Sequence, residues 1–167
     1  FNVLATISTY CKIDPKMADK ALVCFSRYLR RNIHIIEVDG LIDFSSELEQ
    51  LEDYVTLEQL RFAEEITFEK KIETSSFKIP PLTVQPIVEN AIKHGLVEHG
   101  KSGTVFLHTE KKENNIVITV ADNGVGFTPG MLAKTESVGI KNVRYRLENM
   151  TGGTLNIESE PGRGTTV

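Results

Sequence analysis

The pattern of apolar residues predicts helices over the first third of the chain. After Asp14-Pro15, a turn that suits a helix start, apolar positions recur with the spacing of one helical stripe. This stripe consists of Ala21, Leu22, Phe25, Tyr28 and Leu29. Residues Phe1–Cys11 have a similar character and are predicted to end a preceding helix. Stripes with so little bulk of their own need a partner surface, and a second copy of the chain is the simplest one.

A break at Asp39-Gly40 separates these helices from a third, more highly charged one. Ser45 is the expected N-cap of a helix over Glu47–Arg61. The apolar face of that helix consists of Leu48, Leu51 and Val55. Residues 1–62 are therefore predicted to be a helical dimerisation region.

The pattern changes at Ile66, where apolar and polar residues begin to alternate in part. Strands are predicted over Ile66–Ile72, Thr104–Thr109, Asn115–Val120, Leu155–Ile157 and Thr165–Val167, with a polar turn over Glu110–Asn114. Helices are predicted over Leu82–Leu96, with Pro86 in the first turn, and over about Val138–Met150, ended by Gly152-Gly153. Helices followed by a mixture of strands and helices predict an α+β architecture, with a second domain over residues 63–167.

Composition narrows the class of protein. The 167 residues are 40% apolar and 25% charged, which is average for globular domains and excludes a disordered tail, a collagen-like rod and a disulfide scaffold. No stretch approaches the ~20 apolar residues that span a bilayer. The net charge of −4 provides no general attraction to nucleic acid. Cys11 and Cys24 lack metal-like spacing, so we expect reduced packing residues.

A loop with two glycines follows a predicted strand at Asp122-Asn123-Gly124-Val125-Gly126. Glycines two positions apart let a backbone pass close to a flat or charged ligand, and the carboxylate can accept from an exocyclic amine. The same residues also suit an ordinary hairpin turn. This segment alone leaves both interpretations open.

Three further segments carry polar groups. Asn90 interrupts the apolar pattern of Val88–Gly95, which suits either a ligand contact or a hydrogen-bonded core residue. His94 alone is more typical of a solvated or packing histidine. Gly139 opens a helix whose N–H groups favour phosphate, although an ordinary helix start with a basic face is the alternative. Taken alone, Glu160–Thr166 indicates only a hairpin.

Taken in order, these four segments resemble the ATP-binding domain shared by sensor histidine kinases, Hsp90-like chaperones, type II topoisomerases and mismatch-repair ATPases. The segments that resemble the LytS-type sensor histidine kinases in particular are Glu47–Phe62, Ile79–Gly95 and Asn142–Leu147. The resemblance implies a Bergerat-type α/β sandwich, a mixed sheet with helices on one face. It also implies binding of ATP and Mg²⁺ beneath a mobile lid at about Phe127–Ser137.

The resemblance implies a role for each matching residue. Asn90 would bind Mg²⁺ through its side-chain oxygen, and Asp122 would accept from the adenine amino group. Gly124 and Gly126 would let the loop approach the base, and Thr165 would support Asp122 through water. The phosphate contacts that the resemblance implies are Lys93, His94, Asn142 and the amides from Gly139 onward. The family's lid usually ends in a glycine pair, of which only Gly139 is kept after Ser137.

Another departure distinguishes kinases from hydrolases. Hydrolytic members of the superfamily carry a water-activating Glu four residues before the Mg²⁺-binding Asn, and that position is Pro86 here. Proline cannot act as a base. Glu89, adjacent to Asn90, is the remaining catalytic candidate, either polarising a nucleophile or ordering the waters of the metal. Phosphoryl transfer to a protein side chain is therefore favoured over ATP hydrolysis.

The phosphorylated histidine of LytS-type kinases lies in a segment resembling P-H-F-L-F-N. Phe1-Asn2 matches the end of that segment, and the chain starts without an initiating Met, as a fragment would. We therefore expect the acceptor upstream of Phe1. The histidines not expected to be the acceptor are His34, His94, His99 and His108.

The sequence thus predicts a cytoplasmic fragment of a two-component sensor histidine kinase that forms a homodimer and passes phosphate to a response-regulator Asp. No nucleic-acid partner is expected. Contact with the inner or plasma membrane would come only through regions outside this fragment. One alternative is a degenerate nucleotide-binding dimeric scaffold, which the retained Asn90, Asp122, Gly124 and Gly126 argue against. A GHKL-type ATPase is the other alternative, and Pro86 disfavours it.

Overall fold

The computed structural model describes residues 2–62, 65–96, 102–128 and 137–167. Three helices form its first part: α1 (Asn2–Ile13), α2 (Pro15–Glu37) and α3 (Phe44–Arg61). Helix α2 begins where the sequence predicts, because Asp14 accepts hydrogen bonds from the backbone N–H groups of Lys16 and Met17. The local capping signal is therefore sufficient to start this helix.

The three helices share a small apolar core that contains Ile7 of α1, Ala21 of α2 and Leu60 of α3. Only part of the predicted stripe on α2 is used in this way. Leu22 and Leu29 belong to the same stripe, yet they are 50% and 44% exposed. An apolar surface on α2 is thus left uncovered within one chain.

Both cysteines are free thiols in the structure. Cys24 is buried, and its Sγ lies 3.4 Å from the carbonyl oxygen of Asp53 on α3. Cys11 is exposed on α1, so the prediction that it is a packing residue is wrong. The helices α2 and α3 cover a different side of α1, around Ile7.

Helix α3 begins at Phe44, and Ser45 lies inside its first turn, so the predicted N-cap is wrong. The start is set by tertiary contacts. Strand β1 (Ile42–Asp43) pairs antiparallel with β3 (Lys78–Ile79), and the backbone N–H of Phe44 donates to the Phe77 carbonyl oxygen at 3.0 Å. The Phe44 and Phe77 rings also stack, with centroids 4.6 Å apart. This pairing ends the extended segment immediately before Phe44.

A five-stranded sheet forms the second part of the chain. Its strands are β2 (Ile66–Ile72), β4 (Gly103–Lys112), β5 (Asn115–Asp122), β6 (Glu158–Glu160) and β7 (Gly164–Thr166). Their order across the sheet is β2-β4-β5-β7-β6. Strands β2 and β4 are parallel and the other neighbours are antiparallel, so the sheet is mixed.

Two details of the predicted strands need correction. The hairpin ladder reaches Lys112 and Asn115, so the turn is only two residues long and places Glu113 at φ +54°. The segment Leu155–Ile157 is not a strand, and β6 follows it instead. Leu155 is buried, and its carbonyl oxygen accepts from the Arg144 side chain, which replaces a strand partner.

The predicted helix over Leu82–Leu96 starts later and changes form. Leu82 has φ +54°, which is incompatible with a right-handed helix. The helix α4 runs over Gln85–Asn90, with Pro86 in its first turn as predicted, and continues as a π-helical segment over Ala91–Leu96. Helix α5 (Val138–Thr151) ends at Gly152 with φ +67°, also as predicted.

One apolar core joins these helices to the sheet. It contains Val88 and Ile92 from the α4 region, Ile140 and Val143 from α5, Val105, Leu107 and Val120 from the sheet, and Phe44, Leu51 and Val55 from α3. The predicted α+β fold, with helices packed on a mixed sheet, is confirmed. The boundary after residue 62 stays a prediction. Within the described residues, no helix is long and apolar enough to cross a membrane.

Candidate functional site

The Asp122 loop (residues 122–126) follows β5 and lies against the π-helical segment. The Asp122 Oδ1 accepts the backbone N–H of Gly124 at 2.8 Å. The N–H of Val125 donates to the carbonyl oxygen of Gly95 at 3.1 Å. A Cβ on Gly124 would lie 2.2 Å from that same oxygen, so only glycine fits this close approach. The loop glycine is therefore required by packing and not only by a turn.

Gly95 lies directly beside the Asp122 carboxylate, where a larger residue would not fit. A Cβ at this position would lie 2.9 Å from Asp122 Oδ1. Gly95 is not among the site residues that were predicted from the sequence. Its signal was its place at the end of the Asn90 segment, five residues after Asn90.

Burial raises the pKa of Asp122, and hydrogen bonds from the backbone N–H groups of Gly124 and Thr165 oppose this effect. Thr165 stands opposite Asp122 in the β5–β7 register. Its hydroxyl is 3.0 Å from the Ser159 Oγ, within hydrogen-bonding distance. Thr165 therefore supports Asp122 through its backbone, and its side chain is used within the β6–β7 hairpin.

The far end of the Asp122 loop is held by that hairpin. Gly126 has φ +59°, and a Cβ there would lie 2.0 Å from the Glu160 carbonyl oxygen. The N–H of Gly162 donates to the Val125 carbonyl oxygen at 2.6 Å. The Asp122 loop and the Glu160–Thr166 segment are therefore neighbours in space.

Asn90 connects its own helix to the segment that begins helix α5. Its Nδ2 donates to the Ser137 Oγ at 2.9 Å, and Ser137 caps α5 by accepting from the Ile140 N–H at 3.3 Å. A Cβ on Gly139 would lie 3.5 Å from the Pro86 side chain, so the start of α5 packs on the start of α4. The amide oxygen of Asn90 is thereby left as the remaining polar atom of this side chain.

Ser137 stands at the position where the family's lid usually has its first glycine. Ser137 was not predicted as the N-cap of α5, although serine is a common capping residue, and no pattern in the sequence indicates its hydrogen bond to Asn90. Of the predicted lid, Phe127, Thr128 and Ser137 are described, and residues 129–136 lie outside the described residues. His99 also lies outside them.

The remaining predicted site residues differ in their exposure and in their contacts. Lys93, His94 and Asn142 are exposed. Glu89 accepts from the Gln85 Nε2 at 2.7 Å, and the same nitrogen donates to the Tyr28 hydroxyl of α2 at 2.9 Å. Glu89 is thus connected to the helical part of the chain, whereas Asn90 is connected to α5.

Glu47 of α3 is a buried carboxylate that was not predicted from the sequence. It is fully buried and accepts from the backbone N–H groups of Val84 and Gln85 at the start of α4. Burial raises the pKa of Glu47 to about 7. Burial lowers the pKa of the nearby Arg146 guanidinium, whose Nη2 donates to the Leu82 carbonyl oxygen. Nothing local distinguishes Glu47 from the other glutamates of its charged helix.

Two family matches agree with this arrangement. Residues 81–167 match the family described as histidine kinase-, DNA gyrase B- and HSP90-like ATPase, and residues 1–66 match the histidine kinase family. The chain therefore belongs to the histidine kinase-, DNA gyrase B- and HSP90-like ATPases. This membership confirms the predicted nucleotide-binding domain.

Three relatives illustrate the similarity. Sensor histidine kinase YpdA of Escherichia coli is 36% identical over 97% of this chain and 30% of its own length. Protein YwpD of Bacillus subtilis is 35% identical over 100% of this chain and 63% of its own length. Sensor protein LytS of Enterococcus faecalis is 33% identical over 97% of this chain and 28% of its own length. The predicted resemblance to LytS-type sensor histidine kinases is confirmed, and the chain spans only part of these relatives.

Solved histidine kinase structures share the fold. The catalytic domain of histidine kinase ThkA has a TM-score of 0.58 and 19% identity, covering 77% of this chain and 92% of that one. The histidine kinase domain of a blue-light activated kinase from Erythrobacter litoralis has a TM-score of 0.61 and 14% identity, covering 99% and 90%. ThkA in complex with response regulator protein TrrA also matches, with a TM-score of 0.55, 15% identity and coverage of 89% and 47%.

Proposed function

We propose that this chain binds ATP with Mg²⁺ and serves as the ATP-binding and dimerisation part of a protein-histidine kinase. The observation that carries the proposal is that the start of α5 and the Asp122 loop both contact the helix α4 with its π-helical segment. Asn90 meets the start of α5, and Gly95 meets the Asp122 loop. The N-terminus of α5 is suited to bind phosphate, and the Asp122 loop is suited to contact a base. A helix that contacts both can hold the two ends of one nucleotide.

The Asp122 loop suits the adenine. The carboxylate is partly buried and no side chain at position 95 covers it, so it can accept a charge-assisted hydrogen bond from an exocyclic amine. Gly124 and Gly126 bring backbone close to the base. Thr165 holds the other side of Asp122 through the strand pairing.

The Asn90 side suits the phosphates and the metal. Because the Asn90 nitrogen already donates to Ser137, its oxygen is the atom that fits Mg²⁺, a hard cation. Bound Mg²⁺ would neutralise charge on the phosphates. The groups that would contact the phosphates directly are Lys93, His94, Asn142 and the backbone amides from Gly139 onward. Among the described residues there is no cluster of three acidic, His or Cys ligands, and a Mg²⁺ held largely by phosphates and water needs none.

Asn90→Ala is the variant that tests the kinase assignment. We propose that the acceptor histidine lies upstream of Phe1, so a chain extended upstream should form acid-labile phosphate from γ-labelled ATP and Mg²⁺. Asn90→Ala in that extended chain should abolish the label. In calorimetry, this variant should lose the Mg²⁺-dependent part of ATP affinity and keep Mg²⁺-free binding. Equal losses with and without Mg²⁺ would show that Asn90 is structural.

The same experiment separates the alternatives. A dimeric scaffold whose nucleotide site is degenerate would bind no ATP, with or without Mg²⁺. An ATPase would release phosphate steadily without becoming labelled. Strong acid-labile labelling of the chain without its upstream extension would place the acceptor among the histidines present here, beginning with His34 and His94.

Asp122→Asn should weaken ATP binding by about 1.5–3 kcal/mol, the range for hydrogen bonds that involve a charged group. An amide still accepts the Gly124 N–H but loses the negative charge that strengthens the bond to the adenine amine. Titration of ATP and of GTP into both proteins measures this, because guanine lacks the amine at that position. Unchanged ATP affinity would remove Asp122 from the base site.

We propose that the chain forms a homodimer through α1 and α2, in a protein that relays phosphate to a response regulator and lies on the cytoplasmic side of the inner or plasma membrane. The uncovered Leu22 and Leu29 support this interface. Converting both to Glu should weaken dimerisation about tenfold or more in sedimentation, because burial of a half-exposed leucine contributes about 1 kcal/mol. Ile116→Glu, an exposed apolar residue on the β4–β5 hairpin, is the matched control. Equal association of both variants would exclude this surface.

A further inference from the structure

Gln85 lies in the first turn of α4 and contacts neither Asn90 nor the Asp122 loop in the described hydrogen bonds. The residue is only 4% exposed. Its Nε2 donates to the Tyr28 hydroxyl at 2.9 Å and to the Glu89 carboxylate at 2.7 Å. One buried amide therefore joins α2 to the residue that precedes Asn90.

Two further contacts restrict this amide. The backbone N–H of Gln85 donates to the buried carboxylate of Glu47 at 3.3 Å, so α3 holds the start of α4. The Gln85 Oε1 is buried, and no described residue donates to it. Because both amide hydrogens are used, turning the amide over would place its oxygen against the Glu89 carboxylate. A single orientation of the Gln85 side chain is therefore favoured.

We propose that Gln85 is a positioning residue that holds Glu89 in a defined place relative to α2, and that it thereby sets the rate of phosphoryl transfer without contributing to nucleotide affinity. The rate statement rests on the function proposed above. The contact itself does not, because it is a property of the folded chain.

The geometry separates rate from affinity. The groups assigned to the nucleotide are connected elsewhere: Asn90 to Ser137, and Asp122 to Gly124 and Gly95. Glu89 is connected only to the α2 side among the hydrogen bonds of the described residues. Helix α2 belongs to the part of the chain that matches the histidine kinase family, and the proposed acceptor would precede that part, upstream of Phe1. A displacement of α2 would therefore move Glu89 before it moved Asn90 or Asp122.

The kinetic test uses Gln85→Met, which keeps the side-chain length but removes the amide, and Tyr28→Phe, which removes only the hydroxyl. Both are made in the full-length protein, and phosphoryl transfer from γ-labelled ATP is measured. We expect the rate constant to fall about tenfold for Gln85→Met, which loses both hydrogen bonds of the amide, while the KM for ATP stays within about twofold. The matched control is Gln59→Met, which removes the hydrogen bond that the Gln59 side-chain amide donates to the Ile66 carbonyl oxygen at 3.0 Å, a bond that does not involve Glu89.

A second test does not use activity. The free energy of unfolding is measured for Tyr28→Phe, Glu89→Gln and the double variant, and the set is repeated in the Gln85→Met background. If Gln85 connects the two residues, the single effects are non-additive with Gln85 present. That non-additivity should disappear, or fall by more than half, once the amide is removed.

The outcomes are distinguishable. Loss of the coupling with Gln85→Met, together with a reduced rate and an unchanged KM, supports the proposal. Additive effects in the Gln85 background overturn it, as does an unchanged rate or a rate loss equal to that of Gln59→Met. A raised KM would make Gln85 a binding residue and also overturn it. If the unmodified protein transfers no phosphate, the proposed function fails, and the unfolding measurements alone decide whether Gln85 positions Glu89.

Discussion

Alanine in place of Gly124 should weaken ATP binding by about 100-fold, which corresponds to about 2.7 kcal/mol. The added Cβ would lie 2.2 Å from the Gly95 carbonyl oxygen and 2.7 Å from the Gly95 Cα. Both are backbone atoms, so neither can rotate away, and the Asp122 loop must separate from the π-helical segment. The Asp122 carboxylate would then be displaced from its position beside Gly95.

Calorimetric titration with ATP measures this loss, and thermal unfolding shows whether the variant remains folded. Gly153→Ala is the matched control, because the nearest atom to its Cβ is the Thr151 hydroxyl oxygen at 3.0 Å, the end of a side chain that can rotate. It should bind ATP as the unmodified protein does. A folded Gly124→Ala protein with unchanged affinity would show that the Asp122 loop does not contact the nucleotide.

Glu47→Gln should change the pH dependence of stability by roughly 2–3 kcal/mol between pH 5 and pH 8. Burial raises the pKa of Glu47 to about 7 in the folded protein, from a value of 4.5. A raised folded-state pKa means that the folded protein binds the proton more tightly than the unfolded chain. The contribution of Glu47 to stability is therefore complete below pH 4.5 and is lost as the pH rises through 7.

Glutamine resembles the protonated acid and does not titrate, so the stability difference between the two proteins isolates this carboxyl. Denaturant unfolding at several pH values should show the unmodified protein losing stability relative to Glu47→Gln as the pH increases. Glu49→Gln, an exposed glutamate on the same helix, is the control, and its difference should stay below about 1 kcal/mol. If the stability difference between the unmodified protein and Glu47→Gln did not change with pH, folding would not raise the pKa of Glu47.

The sequence was sufficient to predict an element wherever the interactions that begin or end it lie within a few residues. Asp14 accepts from N–H groups two and three residues away, and Gly152 adopts the left-handed conformation that ends α5. The strand Ile66–Ile72 and the Asp122 loop were likewise predicted from spacing alone. These elements depend on interactions over a few residues, which the sequence displays directly.

The incorrect bounds of helices and strands discussed next depend on partners that are distant in the sequence. Helix α3 starts at Phe44 because β1 pairs with β3, more than thirty residues away. Leu155–Ile157 looks like a strand by composition, yet its partner is the Arg144 side chain. The late start of α4 follows the left-handed Leu82, beside which Glu47 accepts the first N–H groups. Alternation and propensity contain no information about such distant partners.

For the proposed site, the sequence alone supplied the candidate groups, which are Asn90, Asp122 and the loop glycines, and it supplied the resemblance to the family. Their supports were not readable from it. Gly95 bounds the Asp122 carboxylate, Ser137 holds the amide of Asn90, and Gln85 connects Glu89 to α2. The physical reason is that a functional group is a property of one residue, whereas its orientation depends on contacts that exist only after distant segments have packed.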